Sequence, residues 1–413
     1  MNIIYFSYIF LGLIALDTAL KLYLNKRQSS AIINNYNQVP QHFQKAIQLS
    51  EHQKAADYSL AKLKTGNLEI IFNSILLIIF TFGGGIQFII SLTNLSSYAL
   101  SSQVLFILSF MIISSLLSLP FQIYKTFKIE QKFGFNKITT GLFIQDQIKS
   151  LLLTLAIGTP ILYLIAWIMN NVTQNWWIYV WGVIVGFNLL ALLIYPTFIA
   201  PLFNKFSPLD DLELKEKIVS LLDKCGFKSQ GVFVMDGSKR SSHGNAYFTG
   251  LGNSKRIVFF DTLLKQLNHD EVIAVLAHEL GHFKHKHIVK QMAISFILML
   301  VTLYIFSLLI NQPLFYAALN VHTANSLVGL LLLFLVTGII TLPLAPVFSF
   351  MSRKNEYEAD NFAKQNANKD DLISGLVNMY RDNASTLTPD SLYVNFYYSH
   401  PPATLRIANL EKN

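Results

Sequence analysis

Long apolar runs separated by short polar connectors make up most of the chain. Seven of these runs, near 3–23, 68–93, 103–124, 149–169, 176–203, 288–311 and 326–350, are long enough to cross a bilayer as helices, which takes about 20 residues. The connectors alternate in charge. Lys26, Arg27, Lys45, Lys54, Lys62 and Lys64 fall within 24–67, and Lys125, Lys128, Lys132 and Lys137 within 125–148. By contrast 94–102, 170–175 and 312–325 hold no Lys or Arg. Basic loops stay on the cytoplasmic side, so the pattern predicts an outside N-terminus and a cytoplasmic C-terminus. The first run lacks a basic start and a small-residue cleavage site, and is expected to remain as a helix.

Two longer polar segments, 204–287 and 351–413, fall on the same predicted side as the basic loops. In the first, Asp210 and Asp211 followed by Gly226 frame a helix over 210–225. Val232–Met235, Arg256–Phe260 and His243–Phe248 read as short strands. Asn268 caps a further helix that is expected to run unbroken into the sixth span. The fold class is therefore a multi-pass α-helical membrane protein with an α+β domain carrying a small sheet. Residues 1–203 form the five-helix membrane region, and 204–413 form the second domain with the last two spans.

Composition agrees with the pattern: 52% of the 413 residues are hydrophobic and 14% charged, too little charge for the surface of a soluble domain of this size. The net charge of +8 follows from the basic loops. No basic groove interleaved with aromatic residues accompanies it, which argues against a nucleic-acid partner. Cys225 is the only cysteine, so any metal rests on His and carboxylate ligands. Asp17, Lys21 and Glu69 lie in or beside spans, where charge is paired, drawn to the interface or turned toward water.

His278-Glu279-Leu280-Gly281-His282 carries the chemistry. Positions four apart share one helical face, so two imidazoles can hold one ion. Glu279 beside them can take a proton from a water that zinc acidifies to a pKa of about 7. A third ligand is needed. Two spans separate His282 from Glu356, which returns the chain to the side it left. Arg353, Glu356 and Asp360 share a face and are expected to point at the site, with Asp360 orienting a ligand imidazole from behind. Glu358 lies about 200° away from Glu356 around the helix and is expected to be solvated. His285 and His287 are expected as solvated groups or supports behind the ligands.

This pattern resembles the integral-membrane zinc proteases of the type I CAAX prenyl endopeptidase group. The resemblance extends to Phe133-Gly134-Phe135-Asn136-Lys137, Pro201-Leu202-Phe203-Asn204-Lys205-Phe206, Asp236-Gly237-Ser238-Lys239-Arg240-Ser241, Asn245-Ala246-Tyr247, Phe260-Asp261-Thr262-Leu263-Leu264 and Tyr398-Ser399-His400-Pro401-Pro402. It implies seven helices around a water-filled chamber, with one zinc ion held by His278, His282 and Glu356. It also implies Glu279 as base, His400 stabilising the tetrahedral intermediate, Asn245 binding substrate main chain and Arg406 positioning substrate. The expected substrate is a peptide or protein, prenylated at its C-terminus if the resemblance extends that far. The chain is shorter than eukaryotic members and ends without a di-lysine signal, which points to a bacterial plasma membrane and a quality-control role on unprenylated substrates as the alternative. A metal transporter is disfavoured because His278 and His282 precede the sixth span on a polar stretch instead of sitting at the bilayer midplane.

Overall fold

Among the described residues, six helices are long and apolar enough to cross a membrane: Ile3–Asn34, Leu49–Phe80, Leu100–Phe133, Thr140–Asn171, Trp176–Phe203 and His287–Leu309. A bent pair, Ser326–Ile340 with Leu342–Asn366, makes a seventh if counted as one span. The computed structural model describes residues 3–95, 99–249 and 256–412. Large apolar side chains face outward along these helices, among them Tyr8, Leu16, Leu152, Phe198, Ile297 and Phe334. In water that arrangement would be unfavourable, whereas in a bilayer the solvent is itself apolar. The protein is a multi-pass helical membrane protein with a small mixed sheet.

Four expected boundaries shift, each for a local reason. The stretch 24–67, expected as a connector, is mostly helix: the first helix runs on to Asn34 and the second starts at Leu49. Their polar ends dock onto the rest of the protein. Arg27 donates both fork nitrogens to Asp390 at 3.1 and 2.8 Å, a bidentate geometry that also fixes orientation. The 68–93 run stops at Phe80, because Gly83-Gly84-Gly85 turns the chain there. Gly84 has φ +76°, and a Cβ on Gly83 would meet the Ile79 carbonyl at 2.7 Å. The 326–350 run bends by 47° at Thr341–Leu344, where Pro343 and Pro346 cannot donate to the helical ladder. The helix that follows Asn268 does not run into the sixth span. It ends at Lys284, and Lys286 adopts φ +57° before the next helix begins at His287.

The sheet has the order β1-β2-β4-β3, with β1 Phe206–Pro208, β2 Val232–Met235, β3 Ala246–Thr249 and β4 Arg256–Phe260. β2 and β4 pair in parallel, and the other two pairings are antiparallel. β1 has no counterpart among the expected strands, and β3 starts three residues after His243. Asp211 caps the helix Leu212–Cys225, accepting from the Leu214 N–H at 2.9 Å, and Gly226 ends it at φ +69°. That helix contributes Ile218 and Leu222, the sheet Ile257 and Phe259, and the helix His269–Lys284 contributes Val272, Leu276 and Leu280 to one buried core. This core is the platform for the His278–His282 pair.

Among the spans, Asp17, Lys21 and Glu69 line one cavity of about 560 Å³. Lys21 donates to Asp17 at 2.7 Å and Lys125 to Glu69 at 2.5 Å. The intramembrane charges are thus paired and turned inward, away from lipid.

Candidate metal centre

The helix carrying the two histidines is fixed from its first turn. Asn268 Oδ1 accepts from the Glu271 N–H at 3.0 Å while Glu271 Oε2 accepts from the Asn268 N–H at 2.9 Å, which satisfies donors that a helix start leaves open. The other oxygen of Glu271 accepts from Ser374 and Asn378 at 2.5 and 2.8 Å, tying this helix to Lys369–Asp382. Leu276, Ala277 and Leu280 around the pair are at most 1% exposed. His278 and His282 therefore sit on a rigid element, with Nε2 atoms 3.2 Å apart.

Glu356 arrives from the helix Ala345–Asn366 and is buried at 3% exposure. This approach is possible because residue 281 is glycine. A Cβ there would lie 2.8 Å from Ala359 Cα and 3.1 Å from its carbonyl oxygen. Glu356 Oε2 stands 3.4 Å from His278 Nε2, and Oε1 stands 3.3 Å from His282 Nε2. Tetrahedral zinc with N and O ligands at about 2.0–2.1 Å has ligand–ligand edges of about 3.3–3.4 Å. The protein atoms already stand at that spacing.

The hydrogen-bond network fixes which ring nitrogens are bare. His278 Nδ1 lies 2.8 Å from Asp360 Oδ1. Asp360 is fully buried and also bonded by Arg406, at 2.9 Å to Oδ2 and 2.5 Å to Oδ1. An ionised carboxylate only accepts, so His278 Nδ1 carries the proton and Nε2 offers a lone pair. On His282, Nδ1 meets His287 Nδ1 at 3.0 Å, and His287 Nε2 meets Glu358 Oε2 at 3.0 Å. Working back from the acceptor Glu358, His287 donates from Nε2 and accepts at Nδ1, so His282 Nε2 is bare as well. Three acceptors thus converge. Glu356 Oε2 is buried without a well-directed hydrogen bond, although His400 Nδ1 lies 2.8 Å away. Such a cluster is unfavourable unless a cation sits within it. The donor set fits a divalent metal. Burial and the Arg406 charge act downward on the His278 pKa, but the Asp360 and Glu356 carboxylates outweigh them and raise it, so a proton and a cation compete for Nε2.

Glu279 is half-buried beside the pair and has no hydrogen-bond or ion-pair partner among the described residues. His400 is exposed, on a segment that Arg353 holds in place. The Arg353 guanidinium donates to the carbonyls of Val394 and Tyr398 at 2.9 and 3.0 Å and to Asn395 at 3.0 Å. Arg353 therefore does not face His278 and His282 as its helical angle suggests. It sits one turn before Glu356, where the helix Ser391–Tyr397 packs and offers carbonyls. Arg406 is 6% exposed and its contacts are protein groups, Asp360, His278 and Glu356. Asn245 is exposed just before β3, and its carbonyl accepts from the Phe260 N–H at 2.9 Å. The far edge of β3 pairs with no strand among the described residues.

Glu358 departs from expectation: it is the partner of His287, not a free surface carboxylate. The reason is the left-handed corner at Lys286, which turns His287 back toward His282. A straight helix would have carried it away, and no periodicity in the sequence signals the corner. Glu358 also joins His285 and His287 in a second group whose ligand-type atoms lie within 4.8 Å of one another.

The comparisons with known proteins follow the same two regions. Residues 29–205 match the CAAX prenyl protease N-terminal region of five membrane helices, and 208–413 match peptidase family M48. CAAX prenyl protease 1 of Saccharomyces cerevisiae is 40% identical over 72% of this chain and 70% of its own length. The CAAX prenyl protease 1 homolog of Dictyostelium discoideum is 35% identical over 94% of this chain and 93% of its own. The crystal structure of S. mikatae Ste24p superposes with a TM-score of 0.90 at 34% identity, covering 98% of this chain and 99% of that one.

Proposed function

The chain belongs to the CAAX prenyl protease 1 group of peptidase family M48, and from that premise we propose that it is a membrane-embedded metallopeptidase using one zinc ion held by His278, His282 and Glu356. The observation that carries the assignment is the set of three bare acceptors at zinc-ligand spacing. When bound, zinc supplies Lewis acidity, polarising the scissile carbonyl and lowering the pKa of a water to about 7. A single ion is supported by His287, whose two nitrogens are already engaged by His282 and Glu358.

The chain's own groups do the rest. Glu279, free of partners, takes a proton from the attacking water and passes it to the leaving amine. His400, exposed at the mouth of the site, donates to the oxygen where negative charge develops. Asn245 and the open edge of β3 receive an extended peptide by strand addition. Asp360 holds His278 in its metal-binding tautomer, and the substrate-positioning role given to Arg406 is exerted through Asp360 and Glu356. Arg353 acts from farther out, by fixing the His400 segment.

The substrate by this reading is a peptide or protein that loses a C-terminal tripeptide, prenylated as the names of the relatives imply. The division at 203/204 separates the five-helix region from the peptidase domain. The cavity around Asp17 and Glu69 supports a water-filled interior, and the connector charges support a cytoplasmic site. The relatives named above come from eukaryotes, which does not support the bacterial plasma membrane expected from chain length. The test is turnover of a farnesylated CaaX peptide beside an unrelated peptide, with Glu279→Gln as control. The expected result is cleavage of the first peptide by wild type and a loss of at least ~1000-fold in Glu279→Gln with metal retained. Full activity in that variant would sink the mechanism, and equal cleavage of the unrelated peptide would turn the assignment to quality control.

A further inference from the structure

We propose that the cavity beside His400 is a recognition site for the free C-terminal carboxylate of the peptide, with Lys62 as its cationic anchor; this rests on the metallopeptidase reading above. The cavity encloses about 330 Å³, and its wall includes Lys62, Ser59, Asn383, Tyr398 and His400. Among the described residues, no Asp or Glu lines it. Lys62 makes no ion pair among the described residues; its ammonium group rests 3.9 Å over the Tyr58 ring, a contact that holds a cation without neutralising it.

The carboxylate nearest to hand is already committed. Glu130 accepts from the Tyr58 hydroxyl at 2.5 Å and stands 3.4 Å from His243 Nε2. Asn383 uses its Oδ1 on the Gly244 N–H at 3.1 Å, which leaves its amide donors without a partner among the described residues. An ammonium without an ion-pair partner, beside the free Asn383 amide and the Ser59 hydroxyl and with no acidic wall among the described residues, suits a ligand that only accepts. An ionised carboxylate is such a ligand.

Its place fixes which carboxylate. A sphere of 330 Å³ is about 9 Å across, and three extended residues span about 10 Å. His400 at one wall also lies 2.8 Å from Glu356 in the metal centre. A peptide whose scissile bond sits at that centre and runs past His400 into a cavity of this size reaches Lys62 with its C-terminus when only a few residues follow the cut. An internal peptide segment has no terminal carboxylate to place there.

The test uses the purified full-length protein and two probes, a fluorescent tripeptide with a free C-terminal acid and the same tripeptide as its amide. Binding is read by fluorescence polarisation, and turnover is measured separately on acid and amide forms of a longer peptide. The expected result is acid bound at least ten-fold more tightly than amide by wild type, no such preference in Lys62→Gln, and its recovery in Lys62→Arg. Equal binding of acid and amide by wild type, or an undiminished preference in Lys62→Gln, overturns the site. Acid-selective binding without turnover of either long peptide would instead defeat the peptidase reading and leave this site standing.

Discussion

At the scale of single residues, the site depends on which atoms are left bare. Glu356 and Glu358 are two positions apart, and each takes part in the centre by a different route. Glu356 supplies oxygens at 3.3 and 3.4 Å from the two Nε2 atoms. Glu358 acts through His287, whose ring accepts the His282 Nδ1 proton. Removing a ligand should empty the site, whereas removing a support behind a ligand typically lowers affinity or activity by about 10–100-fold. Glu356→Ala is thus expected to lose bound metal and activity together. Glu358→Ala should keep metal under saturating conditions but bind it about ten-fold more weakly, and Glu358→Gln should recover most of that loss, since an amide oxygen still accepts from His287 Nε2. Metal content after dialysis against a graded chelator checks all three. Wild-type affinity in Glu358→Ala would reduce the His287 contact to packing.

Between elements, the decisive approach is that of the helix His269–Lys284 to Ala345–Asn366. Their separation at Gly281 leaves no room for a Cβ, since the two nearest atoms it would meet are Ala359 backbone and cannot swing aside. Gly281→Ala should push the helices apart by a few tenths of an ångström, at a cost of about 1–3 kcal/mol for an overpacked contact. Because Glu356 rides on the second helix, the expected signature is a lowered melting temperature together with metal affinity reduced by at least ~10-fold. A variant that melts lower but binds metal as wild type does would uncouple the helix contact from the ligand geometry.

For the whole molecule, the connector charges predict which side of the membrane holds the centre. The basic stretches 24–67 and 125–148 predict the side of the peptidase domain. In a Cys225→Ser background, cysteines at Thr173 and His322, both exposed between spans, should react with an impermeant thiol reagent from outside intact cells. A cysteine at the exposed Lys228 should react only after the membrane is opened. The reverse pattern inverts the topology while leaving the chemistry intact.

The sequence by itself determined what depends on local pattern and near neighbours. Apolar run lengths give the spans. Asn268 and Asp211 give helix starts, because capping is decided within three residues. The i, i+4 spacing of His278 and His282 brings two imidazoles together without help from the rest of the chain. Even Glu356 was legible, since counting spans returns it to the right side and its helical angle separates it from Glu358. What only the tertiary structure decided depends on direction and on distant partners. The corner at Lys286 turns His287 onto His282, and no period of 3.6 or 2 encodes a single left-handed residue. Arg353 shares Glu356's nominal face, yet carbonyls of a helix about 40 residues onward draw its guanidinium away. Arg406 reaches Asp360 across 46 positions, and Lys62 reaches the His400 cavity from the far side of the chain. Spacing along the sequence sets which residues can meet; packing of the helices sets which ones do, because a side chain's partner is fixed only once neighbouring elements have excluded its alternatives.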